Sequence, residues 1–280
     1  MIKMMQPGLF STIQDNGRDG YRNIGIPCSG FMDQESANAA NTIVGNHKNE
    51  SLIEFTLKGP VLLFNNSYSI SITGGDFTPL INGQKVEMYF PLKVKLGDTL
   101  ELSHTKNGAR GYLAVRGGIK SENIFGSKSF SKSLTNTTVL KKGDEIFISN
   151  NIFTEPIKKH NFSYNYNNLL NVFKGPEFNL LSEDTIAQIF KRDFILGVNN
   201  RMAYNIKDKI EPGLRSIISS PVLPGTIQLT PSGNIIILHR ECQTSGGYSR
   251  ILQLDKNSLN SLSQLSVGQK INFNLIKLNS

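Results

Sequence analysis

Residues 7–18 read PGLFSTIQDNGR, and residues 25–33 read GIPCSGFMD. Glycine recurs in both runs, and it is used where the backbone takes a positive φ or must approach another group closely. Between the glycines stand Gln14, Asp15 and Arg18, whose polar side chains suit a shaped loop that binds something. A long surface turn has a similar composition. Both interpretations, a binding loop and a plain turn, stay open on these residues alone.

The chain beyond these loops is rich in short segments with a strand pattern. Residues 69–73 and 93–96 alternate polar and apolar side chains, as half-buried strands do. A turn of glycine and a polar residue leads into the same alternation in three further places. These segments start at Leu96, Lys142 and Val267. Residues 81–84 (INGQ) carry the Asn-Gly signal of a β-hairpin.

Helices are predicted in three places only. Asp33 is expected to cap a helix over residues 33–44, and Ser182 is expected to cap a second one over residues 182–190. A third helix is expected over residues 258–265. The sequence therefore predicts a mainly β protein with a few short helices, of the barrel class.

The length of 280 residues allows one large domain or two compact ones. Residues 151–168 are polar and rich in asparagine, and we predict that they connect an N-terminal subdomain over 1–150 with a C-terminal subdomain over 169–280. A faint internal repetition agrees with two halves, because residues 57–60 (LKGP) are echoed by residues 173–176 (FKGP).

Composition excludes several classes of function. The net charge is +8, but the basic residues are scattered, whereas a nucleic-acid interface needs them clustered on one face. No apolar run reaches the length of a membrane helix, so we expect no membrane partner. The only two cysteines give no disulfide framework, and the N-terminus lacks a secretory signal pattern. These features predict a cytoplasmic protein.

The sequence lacks the motifs of several kinds of chemistry. There is no phosphate-binding loop of the Gly-x4-Gly-Lys-Ser/Thr type. The four histidines are far apart, so no metal site is expected, and His239 is expected at the end of a strand. Cys242 has no recognisable base to make it a nucleophile. The Ala-Met-Lys-Met peptide that accepts biotin is absent, so we expect no biotin covalently attached to this chain.

Polar groups at strand ends are the candidate site residues. Arg116 follows an apolar strand and precedes Gly117 and Gly118. A guanidinium beside two glycines can meet a carboxylate or phosphate while backbone N–H groups approach from the same side. A surface arginine paired with a nearby acid is the alternative. Residues 241–248 (ECQTSGGY) repeat this form, and the two loops together predict a site for a small polar amide or acid.

The motifs also occur in a characteristic order along the chain. After the N-terminal loops come residues 38–46 (NAANTIVGN), 52–54 (LIE), 112–119 (YLAVRGGI), 126–129 (GSKS), 224–228 (PGTIQ) and 243–248 (QTSGGY). In this order they resemble the family of biotin-dependent carboxyltransferases and 5-oxoprolinase C subunits, which includes the allophanate hydrolase subunit 2-like proteins and KipA. The resemblance implies two cyclophilin-like β-barrel subdomains.

The resemblance further implies an enzyme subunit that is inactive alone. The C subunit of 5-oxoprolinase acts with a KipI-like B subunit, and the site is expected where the two meet. The pair uses ATP, for which Mg²⁺ is the accompanying metal to expect, to phosphorylate the amide oxygen of 5-oxoproline. The A subunit then completes hydrolysis to glutamate. In such chemistry the protein mainly positions groups and neutralises charge.

Roles for single residues follow from the same resemblance. The predicted catalytic residues are Asp15, Arg18, Asp33, Arg116 and Glu241. The predicted residues for binding substrate or nucleotide are Gln14, Ser29, Gly117, Gly118, Arg201, Gln243, Thr244, Gly246, Gly247 and Tyr248. The arginines are expected to neutralise charge, and the acids to orient a lactam N–H or a metal ion.

The chain departs from the family pattern at several motif positions. Lys128 stands where the family usually has arginine, and a lysine cannot make the same bidentate contact. Phe130 replaces a threonine, residues 201–205 read RMAYN, and Glu241-Cys242 replaces Asp-Arg. These changes leave the fold prediction intact and weaken the prediction of the substrate.

Two alternative functions therefore stay open. One is the carboxyltransferase component of a biotin-dependent carboxylase, which would move CO₂ from carboxybiotin on a separate carrier to urea or a similar amide. Glutamine and threonine side chains could then hold the ureido ring. The other is a KipA-like regulatory protein that binds a kinase inhibitor and turns over no substrate.

Overall fold

A computed structural model gives the fold of residues 1–149 and 166–277. Residues 151–165 of the predicted connector lie outside this described part of the chain. Within the described ranges the chain forms twenty β-strands, three α-helices and two short 3-10 turns. The prediction of a mainly β protein with a few short helices is confirmed.

The chain divides into two compact units. The first unit comprises Met1–Arg18 and Ser29–Asn165, and the second comprises Asp19–Cys28 and Tyr166–Ser280. A boundary placed only at the connector would leave Asp19–Cys28 with the N-terminal subdomain, yet its contacts are with the second unit. The reason is Arg22, whose guanidinium donates hydrogen bonds to the carbonyl oxygens of Val222 and Gln243. The subdomain limits themselves stay a prediction.

The first unit contains two antiparallel sheets and one helix. Its elements are β1 (Ile2–Gln6), β2 (Phe10–Gln14), α1 (Gln34–Ile43), β3 (Leu52–Thr56), β4 (Val61–Phe64), β5 (Tyr68–Gly74), β6 (Leu80–Ile81), β7 (Gln84–Lys85), β8 (Leu92–Val94), β9 (Thr99–Glu101), β10 (Arg110–Val115) and β11 (Glu145–Ile146). One sheet has the order β11-β1-β4-β9-β6-β7, and the other has the order β2-β3-β10-β5-β8.

The two sheets share one hydrophobic core. Ile2 and Phe64 from the first sheet meet Phe55 and Ile72 from the second, and all four are fully buried. Each such side chain contributes about 1.5–3 kcal/mol through removal from water. Helix α1 covers β10 and β5, where Ala37 and its neighbours form a second small core.

The second unit is built around a closed barrel. Its elements are β12 (Leu169–Lys174), α2 (Glu183–Lys191), β13 (Phe194–Asn199), β14 (Ala203–Lys209), β15 (Ser220–Pro221), β16 (Thr226–Leu229), β17 (Asn234–Leu238), β18 (Ser245–Gly246), β19 (Ser249–Leu254), α3 (Lys256–Ser263) and β20 (Lys270–Leu275). The barrel order is β12-β19-β16-β17-β14-β13-β20, and β12 closes it by pairing in parallel with β20. This seven-stranded barrel agrees with the expected cyclophilin-like architecture.

Local signals in the sequence place the helices well. The Asp33 carboxylate accepts hydrogen bonds from the first turn of α1, and the Ser182 hydroxyl accepts one from Thr185 N–H, so both predicted N-caps are confirmed. Helix α3 begins before the predicted residue 258, because the cap is Asp255, which accepts from Ser258 N–H at 2.7 Å. None of the described helices has the length and apolarity to span a bilayer.

The predicted turns are also present. Asn82 and Gly83 take φ values of 51° and 79°, which is the conformation of the mirror-image turn that suits a two-residue hairpin between β6 and β7. The three glycine turns lead into β9, β11 and β20, as predicted. The strands predicted over 69–73 and 93–96 correspond to β5 and to β8, which ends at Val94.

Candidate functional site

Asp15 joins two of the motif loops in the first unit. Its side chain is buried, and Oδ1 accepts hydrogen bonds from Gly17 N–H at 2.8 Å, Ser127 Oγ at 2.6 Å and Ser129 Oγ at 2.5 Å. Oδ2 accepts from Lys128 N–H at 2.6 Å. Hydrogen bonds to a charged acceptor are among the stronger ones. The carboxylate therefore fixes the 127–129 loop onto the loop after β2, and its predicted catalytic role stays a prediction.

Gln14 and Arg18 hold the same loop from either side of Asp15. The Arg18 side chain is almost fully buried, and it donates from Nε to Ile124 O at 3.0 Å and from Nη2 to Ser129 O at 2.8 Å. Gln14 Nε2 donates to Phe130 O at 3.1 Å. These bonds position the loop backbone, and the predicted roles of both residues in chemistry and binding stay predictions.

Asp33 has a similar positioning function at the start of α1. Its Oδ2 accepts from Ser36 Oγ at 2.6 Å, and its backbone N–H donates to the Tyr112 hydroxyl at 2.8 Å. Burial, together with the nearby carboxylates of Glu54 and Asp33, raises the pKa of Tyr112 well above its usual value, so the phenol stays neutral. The predicted catalytic role of Asp33 stays a prediction.

Three motif loops meet at Glu50 and its neighbour Asn49, and a fourth, which carries Ser29, packs on Asn16 through Gly30. Lys128 Nζ lies 3.4 Å from Glu50 Oε2, and the two side chains are 24% and 17% exposed. Gly118 packs so closely that a methyl group built on it would lie 2.3 Å from the same oxygen. Asn16 Nδ2 donates to Asn49 Oδ1, next to Glu50 in the chain. We call Asn16, Ser29, Glu50, Gly118 and Lys128 the motif cluster.

Ser29 and Asn16 carry unsatisfied polar atoms within the motif cluster. Ser29 Oγ and Asn16 Oδ1 are buried, and neither has a hydrogen-bond partner among the described residues. Ser29 also takes a φ of 54°, which is unusual for a residue other than glycine. The next residue, Gly30, lies directly against the Asn16 backbone. Each such buried group costs about 1–3 kcal/mol, and groups of this kind concentrate at functional sites.

Arg116 lines a different part of the surface of the first unit. Its backbone N–H donates to Ser69 O at 2.9 Å, and its side chain lines a shallow depression of about 500 Å³ together with Lys93. The backbone N–H of Gly117 donates to Asn46 Oδ1 at 2.9 Å. The residues that line this depression include no other predicted site residue, and the role of Arg116 stays a prediction.

A separate cavity of about 440 Å³ lies in the first unit. Its walls include Lys120, Lys141 and residues 135–138, and none of the predicted site residues lines it. Thr135 and Asn136 thus border a cavity that the sequence did not indicate.

In the second unit, Arg201 and Glu241 form an ion pair. Arg201 Nε lies 2.8 Å from Glu241 Oε1, and both side chains are largely buried. The Glu241 N–H also donates to Arg201 O at 2.9 Å. The structure brings these two predicted residues together and uses them to join the β13–β14 turn to the segment after β17. Their predicted roles toward substrate stay predictions.

The loop over residues 243–248 is held mainly by its backbone. Thr244 O accepts from Val222 N–H at 3.1 Å, and Gly247 O accepts from Ile217 N–H at 2.8 Å. These bonds leave the Gln243 side chain exposed, as is that of Tyr248, which is 41% accessible.

Gly246 lies against the side chain of Gln228. A methyl group built on Gly246 would be 2.8 Å from Gln228 Nε2, and this amide also donates to Tyr248 O at 3.4 Å. Gln228 is fully buried. The loop can therefore offer a glutamine and a tyrosine to a ligand from a fixed backbone.

Sequence reasoning missed several residues that shape these sites. Glu50 belongs to no motif and is recognisable only once the fold brings Lys128 and Gly118 to it. Glu177 and Arg250 form a two-pronged pair with contacts of 2.7 and 2.9 Å. No spacing in the sequence predicts this pair, since the two residues are 73 positions apart.

His239 lies at the end of β17, as predicted, and it is fully buried. Its Nδ1 accepts from Arg240 N–H at 2.9 Å, so Nε2 carries the proton and donates to Leu259 O at 3.2 Å. Within residues 1–149 and 166–277 there is no group of three His, Cys, Asp or Glu side chains that could hold a metal ion.

Known proteins resemble this chain over most of its length. The family model of the carboxyltransferase domain, subdomain A and B, matches residues 24–275. The C subunit of 5-oxoprolinase from Escherichia coli K12 is 29% identical over 98% of this chain and 90% of its own length. The urea amidolyase of Lachancea kluyveri is 41% identical over 53% of this chain, which corresponds to 8% of that enzyme.

The crystal structure of TTHA0988 is similar with a TM-score of 0.89 and 26% identity. The similarity covers 98% of this chain and 55% of the TTHA0988 chain, so the present chain spans about half of that protein. The match of the family model over 24–275 decides the family. The chain belongs to the carboxyltransferase domain family, subdomains A and B.

Proposed function

We propose that this chain is the C component of an ATP-dependent 5-oxoprolinase. The observation that carries the proposal is the likeness to the C subunit of the Escherichia coli 5-oxoprolinase, which runs through nearly the whole of both sequences. The partners in this proposal are homologues of the A and B components, and the chain is inactive without them.

The motif cluster supports an amide or lactam as substrate. A lactam carries one N–H donor and one carbonyl acceptor side by side. Asn16 Nδ2 is used in the bond to Asn49, which leaves Oδ1 as the acceptor, while the Ser29 hydroxyl can donate. We propose that Asn16 receives the lactam N–H and that Ser29 donates to its carbonyl oxygen. Binding would then satisfy both buried groups.

Lys128 fits the role of neutralising charge near this amide. Its ammonium group is partly exposed and is held by Glu50, so it can lie close to an oxygen that gains negative charge. The backbone N–H groups of Gly117 and Gly118 do not fit a phosphate cradle, because they already donate to Asn46 and Val115. We therefore assign contact with the phosphates of ATP in this unit to Lys128, and ATP would supply the phosphoryl group that activates the amide.

The test is reconstitution with co-expressed homologues of the A and B components. ADP and glutamate release that depends on 5-oxoproline and on this chain supports the proposal. Ser29→Ala should lower kcat/KM about 10- to 100-fold, since a hydrogen bond to a buried group is lost. Ser133→Ala, which removes an exposed hydroxyl of the same unit, is the matched control and should leave the rate unchanged.

The same assay includes Arg116→Ala. Loss of activity with the complex intact would place the site at the depression lined by Arg116 rather than at the side chains of Asn16 and Ser29. A stable complex that never turns over 5-oxoproline would overturn the proposal and favour a KipA-like regulatory role.

A second candidate is the carboxyltransferase component of a urea carboxylase. The 41% identity to urea amidolyase over about half the chain favours it. Urea also carries N–H groups and a carbonyl, so the same motif cluster would serve it. This candidate requires release of carboxylated urea that depends on carboxybiotin, and the absence of any 5-oxoproline-dependent ADP release.

A further inference from the structure

Both cysteines of the chain lie close to one guanidinium group in the second unit. Arg22 Nη1 lies 3.7 Å from Cys28 Sγ, and Nη2 of the same side chain donates to the carbonyl oxygen of Gln243, the residue next to Cys242. Arg22 is fixed in place, because Nη2 donates to the carbonyl oxygens of Val222 and Gln243. Two cysteines 214 positions apart (242 minus 28) are thus brought near one planar group, although the sequence gives no hint of their proximity.

The two thiols differ in how solvent reaches them. Cys28 is partly exposed, whereas Cys242 is fully buried. Burial raises the pKa of Cys242 to about 11, and this exceeds the opposite effect of Arg22. A small oxidant therefore reacts with the Cys28 thiol first, and the buried Cys242 thiol reacts in the second step.

We propose that Cys28 and Cys242 are a thiol pair that hydrogen peroxide converts to an intramolecular disulfide. The Cys28 thiolate attacks peroxide, takes one oxygen to become a sulfenic acid, and releases hydroxide. Cys242 then attacks the Cys28 sulfur, the S–O bond breaks, and the hydroxide that leaves is protonated to water. In sum, two thiols and one peroxide give one disulfide and two waters.

Arg22 has a defined part in this reaction. Its guanidinium lies where it can stabilise negative charge on the attacking sulfur, and it holds the segments of Cys28 and Cys242 together. The disulfide would tie Asp19–Cys28 covalently to the start of the loop that carries Gln243 and Tyr248. This inference rests on the thiols alone and does not depend on the proposed function.

The experiment is peroxide treatment of the full-length protein, followed by intact mass and non-reducing tryptic mapping. The expected result is a loss of two hydrogens per chain and one linked peptide that joins residues 23–48 to residues 241–250. Reduction should restore both peptides. Cys28→Ser and Cys242→Ser should each prevent the link, and Cys242→Ser should instead accumulate oxygen on Cys28.

Arg22→Gln should slow formation of the link about tenfold, because the aligned positive charge is removed. Arg215→Gln, a change at an exposed arginine of the same unit, is the matched control and should keep the wild-type rate. Circular dichroism checks that every variant is folded. Oxygen addition to Cys28 without a linked peptide in the wild-type chain would overturn the proposal, as would a link found only between chains.

Discussion

In the first unit, the carboxylate of Asp15 receives four hydrogen bonds from hydroxyl and backbone N–H donors of the loops that it joins. In the second unit, guanidinium groups hold the loops: Arg201 pairs with Glu241, and Arg250 pairs with Glu177. Both solutions fix glycine-rich backbone that has little side-chain packing of its own.

The difference predicts how each unit responds to its surroundings. The donors around Asp15 are neutral and are buried or partly buried, so this network should hardly change with salt. The Glu177–Arg250 pair is partly exposed and depends on two charges, so it should respond to both pH and ionic strength. The first unit thus offers a rigid site, and the second offers loops whose stability can be tuned.

Asp15→Ala should give the largest loss of stability. Its removal leaves several buried donors unsatisfied, and we expect the free energy of unfolding to fall by about 3–4 kcal/mol. Urea denaturation followed by fluorescence measures this. Glu87→Ala removes an exposed acid of the same unit and should change stability by less than about 0.5 kcal/mol. Equal effects of the two variants would refute the role assigned to Asp15.

Glu241→Ala should come next, with a loss of about 2–3 kcal/mol, because the buried Arg201 guanidinium loses the Glu241 carboxylate. The matched control is Asp193→Ala, which breaks the exposed pair with Lys270. That change should cost less than about 1 kcal/mol. Thermal unfolding of both variants measures the two losses of stability. A smaller loss for Glu241→Ala than for Asp193→Ala would contradict the prediction.

Gly118→Ala should destabilise the first unit by about 1–2 kcal/mol more than Gly126→Ala does. Both glycines have a positive φ, at 72° and 78°, so both variants share the backbone strain. A methyl group at Gly118 meets the Glu50 carboxylate, whereas one at Gly126 meets no atom within 4 Å. The difference between the denaturation midpoints of the two variants measures the cost of the steric clash with Glu50. Equal midpoints would show that the Glu50 side chain moves away without cost and would contradict the prediction.

The smallest effect concerns pH. The hydrogen bond from Arg250 lowers the pKa of Glu177 below its usual value of 4.5. The pair therefore stabilises the folded state fully above that value and loses its contribution as the pH falls through the lower, folded pKa. Glu177→Gln should cost about 1 kcal/mol at pH 7 and nothing once the pH is well below the folded pKa of Glu177. If the difference in free energy of unfolding between the wild type and the variant stays constant with pH, this linkage is excluded.

Much of the fold is accessible from local patterns in the sequence. The caps at Asp33 and Ser182 and the Asn82-Gly83 turn act within a few residues, so their signals are complete in the sequence. The placement of Asp19–Cys28 in the second unit is not accessible in this way. Its cause is the bond from Arg22 to Val222, which spans 200 positions.

The candidate site shows the same limit. Glycine spacing identifies the loops, and the polar residues in them stand out by type. Whether a polar atom is free to meet a ligand depends on its neighbours in space, however. Asp15 looks like a reactive carboxylate in the sequence, yet four donors occupy it, while Ser29, which the sequence ranks only among many binding residues, keeps an unsatisfied hydroxyl.

The parallel pairing of β12 with β20 has a consequence for how the barrel forms during synthesis. Asn171 and Asn274, which hydrogen-bond side chain to side chain at 2.8 Å, are 103 positions apart, so closure has to bring together distant parts of the chain. β20 also pairs with β13. Until the ribosome has released residues 270–275, the nascent barrel therefore has two open strand edges, which are templates for association with other chains. We expect a chain that stalls before this last strand to depend on chaperones.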